Sequence, residues 1–338
     1  MPFETTLKAM VTIIDVAKAA GVAPSTVSHV LNGKRPISLE TKKRVYKAIK
    51  ELGYEPNPNA QALRNQSSGI IGFYASDITE LFSTSIIQGV ERTTTQKNCH
   101  VVFASGTEFG NDIENATHFL MRRRIDGLII SFGIRRELNL DFIGQFKIPL
   151  VVVNAKVDCA IPSVQPDDRG GGRSAAQYLL NRGVHSLAII AGPENRISSN
   201  DRVAGFLEEL EAQDIACDLS KRIVHGNYTV ESGEQCFASL FERDPSIDAI
   251  FCANDYMAAG AINAAIARGL EIPSRIKIIG FDNREFCSFW PIPITTFALP
   301  LLKMGEKSAE LLLQLVEGKT LAEKKITIPS ELVIRKSA

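Results

Sequence analysis

The sequence predicts an α/β protein: a small all-helical head followed by a two-lobed core of two doubly wound parallel sheets. Three observations carry this. Residues 11–32, VTIIDVAKAAGVAPSTVSHVLN, show helical spacing of apolar residues broken by one glycine turn. From Gly69 onward, short apolar runs alternate with amphipathic helical stretches in two successive series. Finally, 338 residues with 45% hydrophobic content are enough to bury two such cores beside a head.

The first helix opens on Thr12 with Asp15 three residues on, a capping signature that satisfies the free backbone donors of a helix start. Val16, Ala19 and Ala20 give it a small apolar face, and Gly21 ends it, because glycine accepts a left-handed backbone without penalty. Val22 is placed to fill the angle between the two helices. A second helix starts near Pro24, whose missing N–H has no partner in a first turn anyway. Val27, Val30 and Leu31 point inward, leaving Ser25, Thr26, Ser28, His29 and Asn32 outside. Compact hydrogen-bonding side chains near the N-terminal end of a helix can reach base edges or phosphates in a major groove. An ordinary surface helix pair is the competing reading.

The third helix argues against that alternative. Ser38 can cap it; Val45, Ala48, Ile49 and Leu52 recur at i, i+3, i+4 and i+7, and Lys42, Lys43, Arg44, Lys47 and Lys50 crowd the remainder. Gly53 closes it. Residues 1–68 hold 10 lysines and arginines against 5 acids, leaving 28 against 33 for the rest, so the net charge of zero hides a basic head on an acidic body.

On these residues, from DVAKAAGVAPSTVSHVLNG at the front to ITIPSELVIRKSA at the end, the chain resembles the lactose and galactose repressor family of bacterial transcription regulators. The resemblance spans nearly the whole sequence. It implies a helix-turn-helix headpiece over residues 1–56, a hinge helix or linker over 57–68, and a periplasmic-binding-protein-like effector-binding core over 69–338. Within the core it implies an N-subdomain of about 69–162 and 293–322 and a C-subdomain of about 163–292 and 323–338. Thr12, Ser25, Thr26, Ser28, His29 and Asn32 are the implied DNA contacts. Two positions depart from the family. His29 stands where an arginine is usual, and imidazole cannot reproduce the two-pronged bond of guanidinium to guanine. Ala23 replaces the usual serine before the second helix, forgoing a cap worth about 1 kcal/mol.

The segment GYEPNPNAQALRNQSSG reads by composition as a linker with one short possible helix from Pro58 to Arg64. The resemblance makes it a hinge helix, two copies of which wedge a leucine pair into the minor groove and bend the duplex. Leu63 matches that wedge, with Asn57 and Ala60 at family positions, and Gln61 replaces a frequent arginine.

In the core, the runs IIGFY, HVVFA, GLII and LVVV form the first series and SLAII, RIVH, AIFC and KIIG the second, with helical stretches such as 201–213 and 257–268 between them. Open parallel sheets bind ligands beyond the carboxyl ends of their strands. The candidates there are Phe82 shortly after the first strand, Arg196, Ser198 and Arg202 after SLAIIAG, Tyr228 after RIVHGN, Asn254 and Asp255 after AIFCA, and Asp282 after KIIGF. An arginine, an aspartate, an amide and aromatic faces suit a small polyhydroxylated or heterocyclic ligand. Phe82, Arg196, Ser198, Arg202, Tyr228, Asn254 and Asp282 also fall where the family's motifs place effector contacts. Each has a plainer reading: Asp255 as a helix cap, Arg202 as the partner of Asp201 or a core carboxylate, Phe82 as core.

Other classes find little support. Gly170, Gly171 and Gly172 after Asp167 and Asp168 match neither a Walker pattern nor a dinucleotide fingerprint. No histidine pair has metal-ligand spacing, no serine sits in a nucleophile elbow, and Glu208 and Glu209 read as a solvated helix face, so neither a catalytic residue, a metal nor a cofactor is expected. Six cysteines form no CxxC pair and suit a reducing compartment. With neither a secretion signal nor an apolar run of membrane-spanning length, a cytoplasmic location is expected. That weighs against the main rival, an exported solute-binding receptor with the same core. Expected partners are therefore palindromic double-stranded operator DNA, a small-molecule effector, most simply a sugar or its derivative, and a second copy of the chain, with no membrane. A nucleobase or a protein corepressor is the alternative regulator. Only a few residues follow the strand within SELVIRKSA, so the extra C-terminal helix that makes some relatives tetramers is not expected.

Overall fold

The computed structural model describes residues 11–32, 35–54, 67–79, 81–132, 141–155, 157, 161–215 and 221–338. They fall into two compact units, Met1–Ser68 and Gly69–Ala338.

The head contains α1 (Ile13–Ala20), α2 (Pro24–Asn32) and α3 (Leu39–Leu52). The capping box at Thr12 closes in both directions, with Thr12 N–H donating to Asp15 Oδ2 at 2.9 Å and Asp15 N–H to Thr12 Oγ1 at 3.4 Å. Gly21 sits at φ 63°, its N–H returning to the carbonyls of Ala17 and Lys18. Ser38 caps α3 through Thr41 N–H at 3.3 Å, whereas α2 starts on the Ala23 carbonyl alone. Val16, Ala17, Ala20, Val27, Val30, Val45 and Ala48 form the buried core. Two expected core residues lie outside it. Ala19 is exposed and Ala17 takes its place, and Leu52 is 37% exposed while Ile49 and Tyr54 cover the core at that end of α3.

The larger unit holds two sheets. The first has six parallel strands in the order β11 (Lys325–Ile328), β5 (Ser163–Pro166), β4 (Leu150–Val153), β3 (Gly127–Ser131), β1 (Ile70–Ala75), β2 (His100–Ser105). Alternation along β1 explains its two covers. Ile71, Phe73 and Ala75 face α4 (Leu81–Thr95) and α10 (Leu301–Val316), while Tyr74 faces α5 (Ile113–Met121). The second sheet is parallel in the order β7 (Ile223–His225), β6 (Leu187–Ala191), β8 (Ala249–Cys252), β9 (Lys277–Ile279). Its odd and even residues likewise divide between α6 (Asp168–Leu180) with α7 (Ile197–Ala212), and α8 (Val230–Arg243) with α9 (Asp255–Ala267). An antiparallel ribbon of β10 (Thr296–Ala298) and β12 (Glu331–Val333) joins its edge through bridges from Ile279 to Thr295 and from Asp282 to Ala298.

These pairings place the lobe crossings a few residues later than the sequence suggests. Ser163–Pro166 and Lys325–Ile328 belong to the first sheet, not the C-subdomain, and Thr296–Ala298 belongs with the second, not the N-subdomain. Strands of three or four residues carry too few apolar residues to reveal which sheet they extend. The hinge residues Asn57, Ala60 and Leu63 lie outside the described residues, as do Cys159 and Cys217.

The glycine triplet is structural. Asp167 caps α6 through Gly170 N–H at 2.8 Å, and α6 crosses α7 so closely that a Cβ on Gly172 would lie 1.9 Å from the Arg202 carbonyl and one on Gly205 1.9 Å from the Arg169 carbonyl. Backbone contact of this kind admits only glycine, and it locks the two helices that carry the site. Among the described residues, no helix is long and apolar enough to cross a membrane, and no group of acids, histidines and cysteines has the arrangement of a metal site.

Candidate functional site

In the head, Ser25 is exposed and Thr26, Ser28 and His29 are half-buried along α2, whose opposite side carries Val27 and Val30 into the core. Asn32 is the last residue of that helix. Thr12 is exposed, but its hydroxyl proton goes to Asp15 Oδ2 at 2.7 Å, so a phosphate would have to compete with the cap. The same bonds from Thr12 hold the Asp15 carboxyl below its ordinary value. On α3, Lys43, Arg44, Lys47 and Lys50 are exposed, and only Lys47 has an acidic partner among the described residues, Glu51 at 3.8 Å.

In the core, the sequence-predicted residues gather at the carboxyl ends of the second sheet. Ser198 and Arg202 lie on α7 after β6, Tyr228 follows β7, Asn254 precedes α9 after β8, and Asp282 follows β9. Arg202 is the hub. It is 5% exposed; Nε donates to Asp168 Oδ1 at 2.9 Å, Nη1 donates to the Ala253 carbonyl at 2.6 Å and to Asp282 Oδ1 at 3.2 Å, and its guanidinium lies 3.8 Å from the centre of the Phe281 ring. Burial opposes its charge, and the carboxylates of Asp168 and Asp282 more than offset this, raising its pKa. Burial pushes the Asp282 carboxyl up, against the pull of Arg202 and Arg284. Its Oδ2 accepts no hydrogen bond among the described residues.

Tyr228 adopts φ 69° and lies beside Ser198 and Ser199, with a buried hydroxyl that closes no well-formed hydrogen bond; burial raises its pKa and Arg202 opposes the rise. Asn254 Nδ2 approaches the Tyr228 carbonyl at 3.4 Å, while its Oδ1 caps α9 through Met257 N–H at 2.9 Å. Ser198, Arg202, Tyr228, Asn254 and Asp282 are thus brought together. Arg196 precedes α7 with a buried, unpartnered Nε. Phe82 stands apart: it is 7% exposed and packs into the first sheet's core with Ile86 and Val90.

Two groups of this site went unread in the sequence. Asp168 looked like the flank of a glycine loop, and its signal was a carboxylate on the first turn of a helix after an apolar strand. Phe281, beneath Arg202, had none beyond membership of KIIGF.

Residues 12–57 match the family model of bacterial regulatory proteins, lacI family, and residues 176–338 match that of the periplasmic binding protein-like domain. The chain is 33% identical to the ribose operon repressor of Halalkalibacterium halodurans, over 97% of each. It belongs to the lacI family of bacterial regulatory proteins. The lacI-family chain is also 32% identical to the transcriptional repressor PurR of Pasteurella multocida, over 97% of this chain and 98% of that one. Among solved structures, the Lac repressor dimer bound to operator and an anti-inducer aligns with TM-score 0.78 and 29% identity over 97% of this chain and 99% of that chain. The regulator CelR in complex with cellobiose aligns with TM-score 0.67 and 28% identity over 97% and 100%. The protein is therefore a transcriptional regulator with a DNA-binding head and an effector-binding core.

Proposed function

We propose that this lacI-family regulator is a cytoplasmic, homodimeric repressor, without catalytic activity, that grips a palindromic operator and is governed by a small polyhydroxylated effector, a sugar or sugar derivative. The single observation behind the effector class is the Arg202–Asp282 pair. Asp282 Oδ2 is an open acceptor on the same cluster as the unpartnered hydroxyl of Tyr228, and a ring bearing several hydroxyls supplies both donors and acceptors to such a set. Ser25, Thr26, Ser28, His29 and Asn32 would face the major groove, the lysines of α3 the phosphates, and Leu63 the minor groove. Two copies are required because one head reads only a few base pairs. Effector binding would change the angle between the lobes and so the spacing of the two hinge segments.

A nucleobase effector is the second reading, supported by the PurR relatives and by the Tyr228 ring beside Ser198 and Arg202. Selection of duplexes from a random pool, followed by thermal-shift measurements with D-ribose, cellobiose and adenine, separates these. The proposal expects enrichment of a symmetric site and a sugar that both raises the melting temperature and changes operator affinity. Enrichment of no site would remove the regulator reading, and a response to adenine alone would replace the sugar.

A further inference from the structure

Asp255 is fully buried, and capping does not explain it, because Asn254 already caps α9. Its carboxylate instead turns toward the segment between β9 and β10. Oδ2 accepts the backbone N–H of Arg284 at 2.7 Å, and Oδ1 accepts the hydroxyl of Thr296 at 2.5 Å. The approach is tight: a Cβ on Gly280 would lie 2.3 Å from Oδ1.

Between these anchors runs the turn of Asp282 and Asn283, at φ 112° and 55°. Two successive non-glycine residues at positive φ are sterically unfavourable and persist only where their surroundings fix them. Four bonds do so. Asp282 N–H donates to the Phe297 carbonyl at 2.8 Å, Asn283 N–H to Thr296 Oγ1 at 3.3 Å, Arg335 Nη2 to Asn283 Oδ1 at 2.7 Å, and Arg284 N–H to Asp255. Thr296 Oγ1 therefore accepts from the turn while giving its own proton to Asp255. The carboxylate takes part in two of the four restraints, one directly and one through that hydroxyl.

We propose that Asp255, acting with Thr296, is a positioning residue that clamps the 282–284 turn and so aims the Asp282 carboxylate at Arg202. The consequence for effector affinity rests on the reading of Asp282 given above; the clamp itself does not. Neither group touches the ligand. They act by removing the alternative conformations that the strained turn would otherwise take, which is pre-organisation of the binding site.

Hydrogen exchange read by mass spectrometry on the full-length, ligand-free protein tests this. Asp255→Asn can no longer accept at both positions and is expected to speed exchange of the peptide over residues 282–289 by roughly tenfold or more, leaving β8 at its wild-type rate. Should that variant fail to fold, the Thr296 pair gives the same answer: Thr296→Val speeds exchange of the segment, and Thr296→Ser, which keeps the hydroxyl, restores protection. Unchanged exchange over 282–289 overturns the clamp, and so does an equal rise in β8 and the turn, the mark of general destabilisation. Loss of protection in Thr296→Ser equal to that in Thr296→Val overturns it too. No effector enters the measurement, so its failure is distinct from failure of the effector reading.

Discussion

Asp168 and Asp282 both bond Arg202, yet the structure gives them different tasks, and removing each in turn separates the tasks. The Asp168 side chain is 0% exposed and bonds Nε at 2.9 Å, whereas Asp282 is 15% exposed and bonds Nη1 at 3.2 Å. Orphaning a buried charge costs about 3 to 5 kcal/mol. In Asp168→Ala the guanidinium keeps Asp282 and the Ala253 carbonyl, which points to the lower end, about 3 kcal/mol. With an unfolding entropy of about 2.1 cal/mol/K per residue, that lowers the melting temperature of a chain of this size by about 4 to 5 °C. Asp282→Ala removes the longer, more exposed bond together with a carboxylate whose burial is itself unfavourable, so its cost is about 1 kcal/mol. Its effect falls on ligand binding. At about a hundredfold excess over Kd an effector stabilises the wild type by about 2.7 kcal/mol, and the Asp282→Ala protein should gain none of this. Melting curves of both variants, with and without the sugar that shifts the wild type, measure both quantities. Equal losses of stability, or a ligand shift that survives Asp282→Ala, would refute the assignment of one carboxylate to the fold and the other to the site.

The remaining predictions concern the head, the hinge and pH. Ala23→Ser supplies the side-chain cap that α2 lacks and should stabilise the head by about 1 kcal/mol, read from the melting of its helical signal. His29→Arg should alter base preference at one symmetric operator position by about 1 to 3 kcal/mol, scored by competition among single-base variants; no change there would leave His29 to phosphate alone. Leu63→Ala should weaken operator binding in a gel-shift titration without moving the effector's Kd, and an equal loss of both would discard the wedge. Burial, and then the charge of Asp282, push the Asp255 carboxyl from its ordinary 3.8 up to about 7. The folded state then holds this proton where the unfolded chain releases it, so stability should fall as pH rises from about 4 to about 7 and level off above, and Asp255→Asn should flatten that slope in urea titrations.

The sequence by itself determined most features that depend on local periodicity or on a single backbone requirement, Ala19 and Leu52 excepted. The box at Thr12 and Asp15, the stops at Gly21 and Gly53, the cap at Ser38 and all eight apolar runs appear where residue order alone puts them, because each needs only neighbours within a turn or two. It also located Ser198, Arg202, Tyr228, Asn254 and Asp282, since parallel strands deliver the residues that follow them to one edge of the sheet. What only the tertiary structure decided are the matters of partner choice. Phe82, which also follows a strand, turned into a core because α4 presents that face to the first sheet. Arg202 chose Asp168, 34 positions away, over its neighbour Asp201, and Asp255 left the cap to Asn254 in order to hold a turn nearly thirty residues further on. Strand β5 and the edge strand β11 joined the first sheet for the same reason. A buried polar group or an unpaired strand edge is satisfied by whatever the fold brings within about 3 Å, and that distance is set by packing across the chain, not by order along it.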